Sequence, residues 1–282
     1  MPEAASLERP TNREEDWRYS DVAAAAKLWP IDTERVQVAP GDRLEWQIVM
    51  AKGVEDAASQ QIDQAFGSSA KATHRFDSSD IRENDAGIRQ ISVEVGEGAH
   101  FALHALLGGG RLNRLSVDVR LAKGAHFEFG GVTVSGGDAT QEFVTRTIHA
   151  EPNGSSNQTV RAVHWGKSSG NFLGRIEVVK DAQKTDAAQN FRALLLEKGA
   201  TANTKPELEI FADDVQCAHG AAIGQMDEMA RYYMAARGIP PEAARKLLVQ
   251  AFIGDAFVEM SDPEAAERML EAALAHLDEA AI

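Results

Sequence analysis

Residues 98–134 read GAHFALHALLGGGRLNRLSVDVRLAKGAHFEFGGVTV. Gly98-Ala-His-Phe101 returns as Gly124-Ala-His-Phe127, an offset of 26 residues. Between the copies, Leu115-Ser-Val-Asp-Val-Arg-Leu121 alternates apolar and polar, the period of a β-strand with one buried face. Each copy follows one strand-like run and precedes another. A β-solenoid produces this pattern, because each coil turns in the same place and stacks the same apolar face. On pattern alone, a sandwich or jelly roll with a chance echo stays open.

Working outward, period-2 runs recur from about Ile31 to Ile223: Leu44–Val49, Ile91–Val95, Phe143–Ile148, Thr159–Val163, Arg175–Val179 and Leu208–Phe211. Gly108–Gly110, Gly130-Gly131, Gly136-Gly137 and Pro152–Asn157 read as the turns between them. Further turns are expected at Gly170-Asn171, Gly199-Ala200 and Gly220-Ala221. Many short strands without intervening helices exclude a doubly wound α/β fold. Residues 11–28 read as a short helix capped by Thr11 or Asn12 and stopped by Pro30.

After Gly224 the period changes to helical. Met226, Met229, Ala230, Tyr233 and Met234 form a stripe that Gly238 closes. Pro240-Pro241 starts a second helix with Ala244, Leu247, Leu248, Ala251 and Phe252 on one face. Ser261 and Glu264 have capping-box spacing for a third, striped by Ala266, Met269, Leu270, Ala273, Leu274 and Leu277. The expected division is 1–30 tail and helix, 31–225 β body, and 226–282 helical region.

The chain carries 29 Lys and Arg against 43 Asp and Glu, a formal net charge of −14. That balance argues against nucleic acid and against anionic lipid as partners, since both need clustered cations. Cys217 is the one cysteine, so no intramolecular disulfide forms. The first 17 residues have no apolar core, and no apolar run approaches the ~18 residues of a membrane span. A cytoplasmic protein is expected.

Cys217 and His219 are two apart. On a strand they share a face, so thiolate and imidazole can address one ligand, and a charged His219 would lower the thiol pKa. Two donors are too few for a whole iron–sulfur cluster, which takes about four. A half-site completed by another subunit and a buried structural cysteine beside a turn histidine both fit the spacing. His74, His100, His104, His126, His149, His164 and His276 read as structural or solvated. No nucleophile elbow, Walker loop or HExxH is present. Asp213-Asp214, as an acid–base pair or cation site, is weak because strand neighbours face opposite ways.

DDVQCAHGAAIGQMDEMARYYMAARGI, from Asp213, followed by PPEAARKLLVQAFIGDAF, resembles the C-terminal signature of the SufB/SufD family. The matching positions are Asp214, Val215, Cys217, His219, Gly220, Gly224, Tyr233, Arg237, Gly238, Ile239, Ala251 and Phe252. Ala218 stands where the family commonly has Ser. Gln189-Asn190 with Leu194–Leu196, then Lys205-Pro206 with Leu208–Ile210, match a region upstream. Glu14–Tyr19 resembles an element near the family's start.

The resemblance implies a right-handed parallel β-helix flanked by helices, and a non-catalytic scaffold subunit. It implies pairing with a SufB-like subunit, and a SufC-like ABC-type ATPase on the C-terminal helices, with Tyr233, Arg237, Gly238, Leu248 and Phe252 as contacts. It also implies an iron–sulfur cluster that is transient and shared with the partner, with His219 and Cys217 as its ligands here. The single cysteine favours the SufD branch, and isolated chains are expected to self-pair. Two other functions stay open on the residues: a β-helix enzyme acting on acidic polysaccharide, and a homodimeric structural solenoid.

Overall fold

The computed structural model describes residues 9–51, 63–66, 70–73 and 85–278. His74 lies outside them. The alternating runs become strands that climb in coils, each coil giving one strand to each of two facing sheets. β1 (Thr33–Val38), β5 (Ala86–Val95), β7 (Leu112–Leu121), β9 (Thr140–His149), β11 (Ser169–Val178) and β13 (Thr201–Ile210) stack in that order as one sheet. The other runs β14 (Gln216–Gly224), β12 (Asp186–Leu195), β10 (Ser155–His164), β8 (His126–Ser135), β6 (His100–Gly108), β2 (Arg43–Ala51), β4 (Ala70–Thr73), β3 (Asp63–Phe66). Every coil-to-coil pairing is parallel; only the β3–β4 pair is antiparallel among the described strands. The molecule is a β-solenoid, as the echo suggested.

The echo has a structural cause. His100 pairs with His126 and Phe101 with Phe127, so the repeated residues sit one above the other. The turn before five strands of the eight-stranded sheet, β2, β6, β8, β10 and β12, carries a left-handed residue. Gly41, Gly98 and Gly124 supply it in three coils, and Asn153 and Lys184 in the next two. These turns stack through backbone bonds: the Gly98 amide donates to Lys123, Gly124 to Pro152, Asn153 to Gln183 and Lys184 to Asp214.

Between the sheets, Phe101 stacks on Phe127 at 5.7 Å and Phe129 meets Phe143 edge-on at 5.3 Å, among Leu103, Leu115, Val117 and Val119. Further up, the interior turns polar. Gln158 accepts from Thr145 and donates to Thr147, and His149 bonds Ser156. His164 sits between Thr133 and Ser168.

The expected 11–28 helix is instead a 3-10 turn at Glu15–Trp17 and one helical turn, α1 (Val22–Ala25), capped by Asp21. Tertiary anchors replace a continuous helix. The Ser20 hydroxyl donates to buried Glu142 at 2.5 Å, and Arg114, ion-paired with that carboxylate, lies 3.9 Å from the Trp17 ring centroid.

The C-terminal elements are α2 (Glu228–Ala236), α3 (Pro241–Gly254) and α4 (Pro263–Asp278). α3 and α4 lie over the outer face of the eight-stranded sheet, where Val249, Ile253, Phe257, Met269 and Ala273 join Leu106, Val132 and Val163. Several sequence expectations change here. Gly130-Gly131 is no turn but the middle of β8, and a Cβ at Gly130 would come within 2.0 Å of the Ala256 carbonyl oxygen. The glycine is a notch for the segment between α3 and α4. Gly170 and Gly220 are likewise inside β11 and β14. Ser261 forms no capping box. Its amide and hydroxyl bond Glu45 on β2, and Asp262 takes over as the cap by accepting from Glu264. The buried face of α3 is Ala244, Val249 and Ile253, so Leu247 and Ala251 turn to solvent.

Candidate functional site

The coil stack ends at β13 and β14. Among the described strands each has a partner on one side only, β11 and β12 respectively. No residue of either strand is fully buried. Pro206 fits on β13 because an edge strand tolerates a missing amide donor. Beside this edge, Ile210 is 40% exposed, Phe211 61% and Ile223 48%.

Cys217 and His219 lie on β14, two residues apart on the face that looks between the sheets, as the spacing predicts. Cys217 is half-buried against Ile176, Val178, Ala187 and Leu208. His219 is exposed. The electrostatics differ from the sequence expectation. Burial pushes the Cys217 thiol up, and Asp186 on the neighbouring strand pushes it the same way. In this chain alone the sulfur is therefore held as a thiol, and a cation or a change of cover is what would release its proton. Among the described residues no third His, Cys, Asp or Glu joins the two as a metal-binding group.

The other candidates lie on α2, at its C-terminal end, and on α3. Asp227 caps α2 by accepting from Met229 and Ala230. Gly238, at φ +76°, ends it, and the Ile239 amide bonds Met234. Arg237 folds over the Tyr233 ring at 4.9 Å. α2 buries none of its residues: Met229 is 74% exposed, Tyr232 73% and Tyr233 59%. Leu248 and Phe252 are half-buried on α3, with Phe252 packed under Arg161. Arg161 also pairs with Asp255, which ties the end of α3 to β10. The candidates thus fall on different elements, Cys217 and His219 on the edge strand β14, Tyr233 on bare α2, and Leu248 and Phe252 half-buried on α3.

Of the histidines read as structural or solvated, four are buried in the fold. His104, His149 and His164 are fully buried, and His276 packs over Gly108. Sequence reasoning missed Phe211 and Ile223 as surface residues. The only signal was the unbroken apolar pair Ile210-Phe211, where alternation fails.

Fold and edge together define a β-solenoid whose last coil is left uncovered. The family model described as SUF system FeS cluster assembly, SufBD core domain, matches residues 31–252. The chain belongs to the SufBD family. It is 36% identical over 170 residues to the chloroplastic protein ABCI7 of Arabidopsis thaliana, covering 59% of this chain and 36% of that one. An iron-sulfur cluster assembly SufBD family protein of Synechocystis is 31% identical over 196 residues, 67% of this chain and 42% of its own. The iron-sulfur cluster assembly protein SufD of Escherichia coli is 35% identical over 115 residues, 41% and 27%. The matches span less than half the length of each of these relatives. No helix among the described residues is long and apolar enough to cross a membrane.

Proposed function

We propose that this chain is a scaffold subunit of SUF iron–sulfur cluster assembly, without turnover of its own, working in the cytoplasm. The observation that carries the proposal is a thiol and an imidazole on one face of an edge strand paired on one side only, bordered by exposed apolar residues. An edge strand with Phe211 and Ile223 beside it is a surface that a second β-solenoid can cover. In this reading the partner is a SufB-like subunit, and the isolated chain covers the same edge with a second copy of itself.

The nascent cluster is cargo, held transiently across the interface, with His219 and Cys217 giving this chain's share of the ligands. Neither donor is a full site, and both are soft or borderline ligands suited to iron. Residues 226–282 receive a SufC-like ABC-type ATPase, through Tyr233, Arg237, Gly238, Leu248 and Phe252. The bareness of α2 supports that role, because an isolated helix with no buried face gains its packing from a partner. In this reading residues 31–225 are the β body that presents the edge and 1–30 a tail and helix, of which Trp17 and Ser20 hold to the body through Arg114 and Glu142.

The test is to coexpress the chain with SufB-like and SufC-like partners and measure iron in the purified complex. The His219→Ala complex is expected to assemble and lose iron. Iron equal to the wild type would remove His219 from the ligand set.

A further inference from the structure

Gln189 lies on the inner face of β12, directly in register with His219 on β14. The same column holds Trp46, Leu103 and Phe129 in the lower coils, then Gln158, Gln189 and His219. The column changes from apolar to carboxamide to imidazole as it nears the open end. Gln158 uses both ends of its amide, accepting from Thr145 and donating to Thr147. Gln189 is 2% exposed and uses only one, donating Nε2 to the Glu207 carbonyl at 3.2 Å. Its Oε1 is buried with no partner among the described residues.

The opposite wall is cut back to make room for this amide. A Cβ at Gly174 would fall 2.2 Å from Gln189 Oε1, and Pro206 is the in-register neighbour of Gly174 on the last coil. The bond to Glu207 fixes which end of the amide is oxygen, since the reverse orientation would set two oxygens against each other. An unpaired buried acceptor costs about 1–3 kcal/mol. Such a group in a tailored space one strand below an exposed imidazole calls for a donor.

We propose that Gln189 is the positioning residue of His219. In-register side chains on adjacent strands are only about 4.8 Å apart. Turning the exposed His219 ring inward brings one ring N–H to Oε1. That bond selects the tautomer and leaves the other nitrogen, with its lone pair, facing out of the edge toward a metal ion. The proposal rests on the ligand role of His219 given above, and its test separates the two.

The first measurement is the 15N spectrum of the His219 ring in the isolated chain. Wild type is expected to show one dominant tautomer. Gln189→Met should move the ring to the mixture of a free imidazole, while Gln189→Glu, which keeps an acceptor oxygen, should preserve the wild-type pattern. The second measurement is iron in the coexpressed complex, where Gln189→Met should lower iron affinity about 10-fold. Ring signals of Gln189→Met that superimpose on wild type would overturn the proposal. If His219→Ala keeps its iron, the ligand role falls, and the ring spectra still decide whether Gln189 positions the histidine. Should Gln189→Met fail to fold, the decision passes to Gln189→Glu, where a free-imidazole mixture would overturn the proposal and an unchanged single tautomer would uphold it.

Discussion

The coils around β7 and β8 and the coil of β13 and β14 are built from the same strand geometry and meet opposite fates. In β8, nine of ten residues are buried, with phenylalanines inside and the α3–α4 segment outside. In β13 and β14 none is. The difference lies in neighbours: an interior coil has a coil on both sides, and β13 and β14 have one on a single side only. Packing therefore stabilises the middle of the solenoid. The last coil keeps its apolar residues, thiol and imidazole available at little cost to the fold.

The sharpest break of this contrast is Phe127→Ala, which should destabilise the isolated chain by about 3–5 kcal/mol in denaturant unfolding. A loss below about 1 kcal/mol would show that the aromatic stack is not the core it looks to be.

Acid comes next. His100, His104 and His149 are held down at about 4 and His164 at about 3, in each case chiefly by burial. Unfolded, each takes a proton near the ordinary value of about 6.5. Their neutral burial is thus compatible with full stability above that value, and stability is lost as pH falls from about 6.5 toward 4. Urea midpoints at pH 7.5, 6 and 5 should decline in that order, and equal midpoints would refute the burial of these rings.

Gly130→Ala forces the Ala256 segment off the sheet, at about 1–3 kcal/mol. Hydrogen exchange should quicken in α3 and α4 while the β13–β14 coil is unchanged. Phe211→Ala is the smallest. It should shift the unfolding of the chain diluted to a monomer by no more than about 0.5 kcal/mol, yet weaken both self-pairing and co-purification with a SufB-like partner. A large stability loss instead would mean that Phe211 serves the fold rather than an interface.

Much of the fold was legible because strand periodicity is local. The 26-residue echo was visible only once for two reasons. Later coils are longer: His126 to Ser155 is 29 residues, Ser155 to Asp186 is 31 and Asp186 to Gln216 is 30. The marker glycine also gives way to Asn153 and Lys184, which accept the same left-handed backbone. Gly130-Gly131 misled because glycine signals a turn locally, whereas here it answers a backbone approaching from residue 256. The α3 stripe was misassigned because apolar residues encircle that helix, and only docking selects Val249 and Ile253 over Leu247 and Ala251.

By itself, the sequence determined that Cys217 and His219 share a face, since a strand repeats every two residues wherever it lies. It also determined that helices would follow Gly224, and its echo pointed to stacked coils that only the parallel pairing of the strands established. Only the tertiary structure decided that β14 is an edge, that burial and Asp186 raise the Cys217 thiol, that α2 stays bare, and that Gln189 waits beneath His219. Facing is set by neighbours along the chain. Exposure and electrostatic surroundings are set by residues about 30 positions away, which come together only when the coils stack.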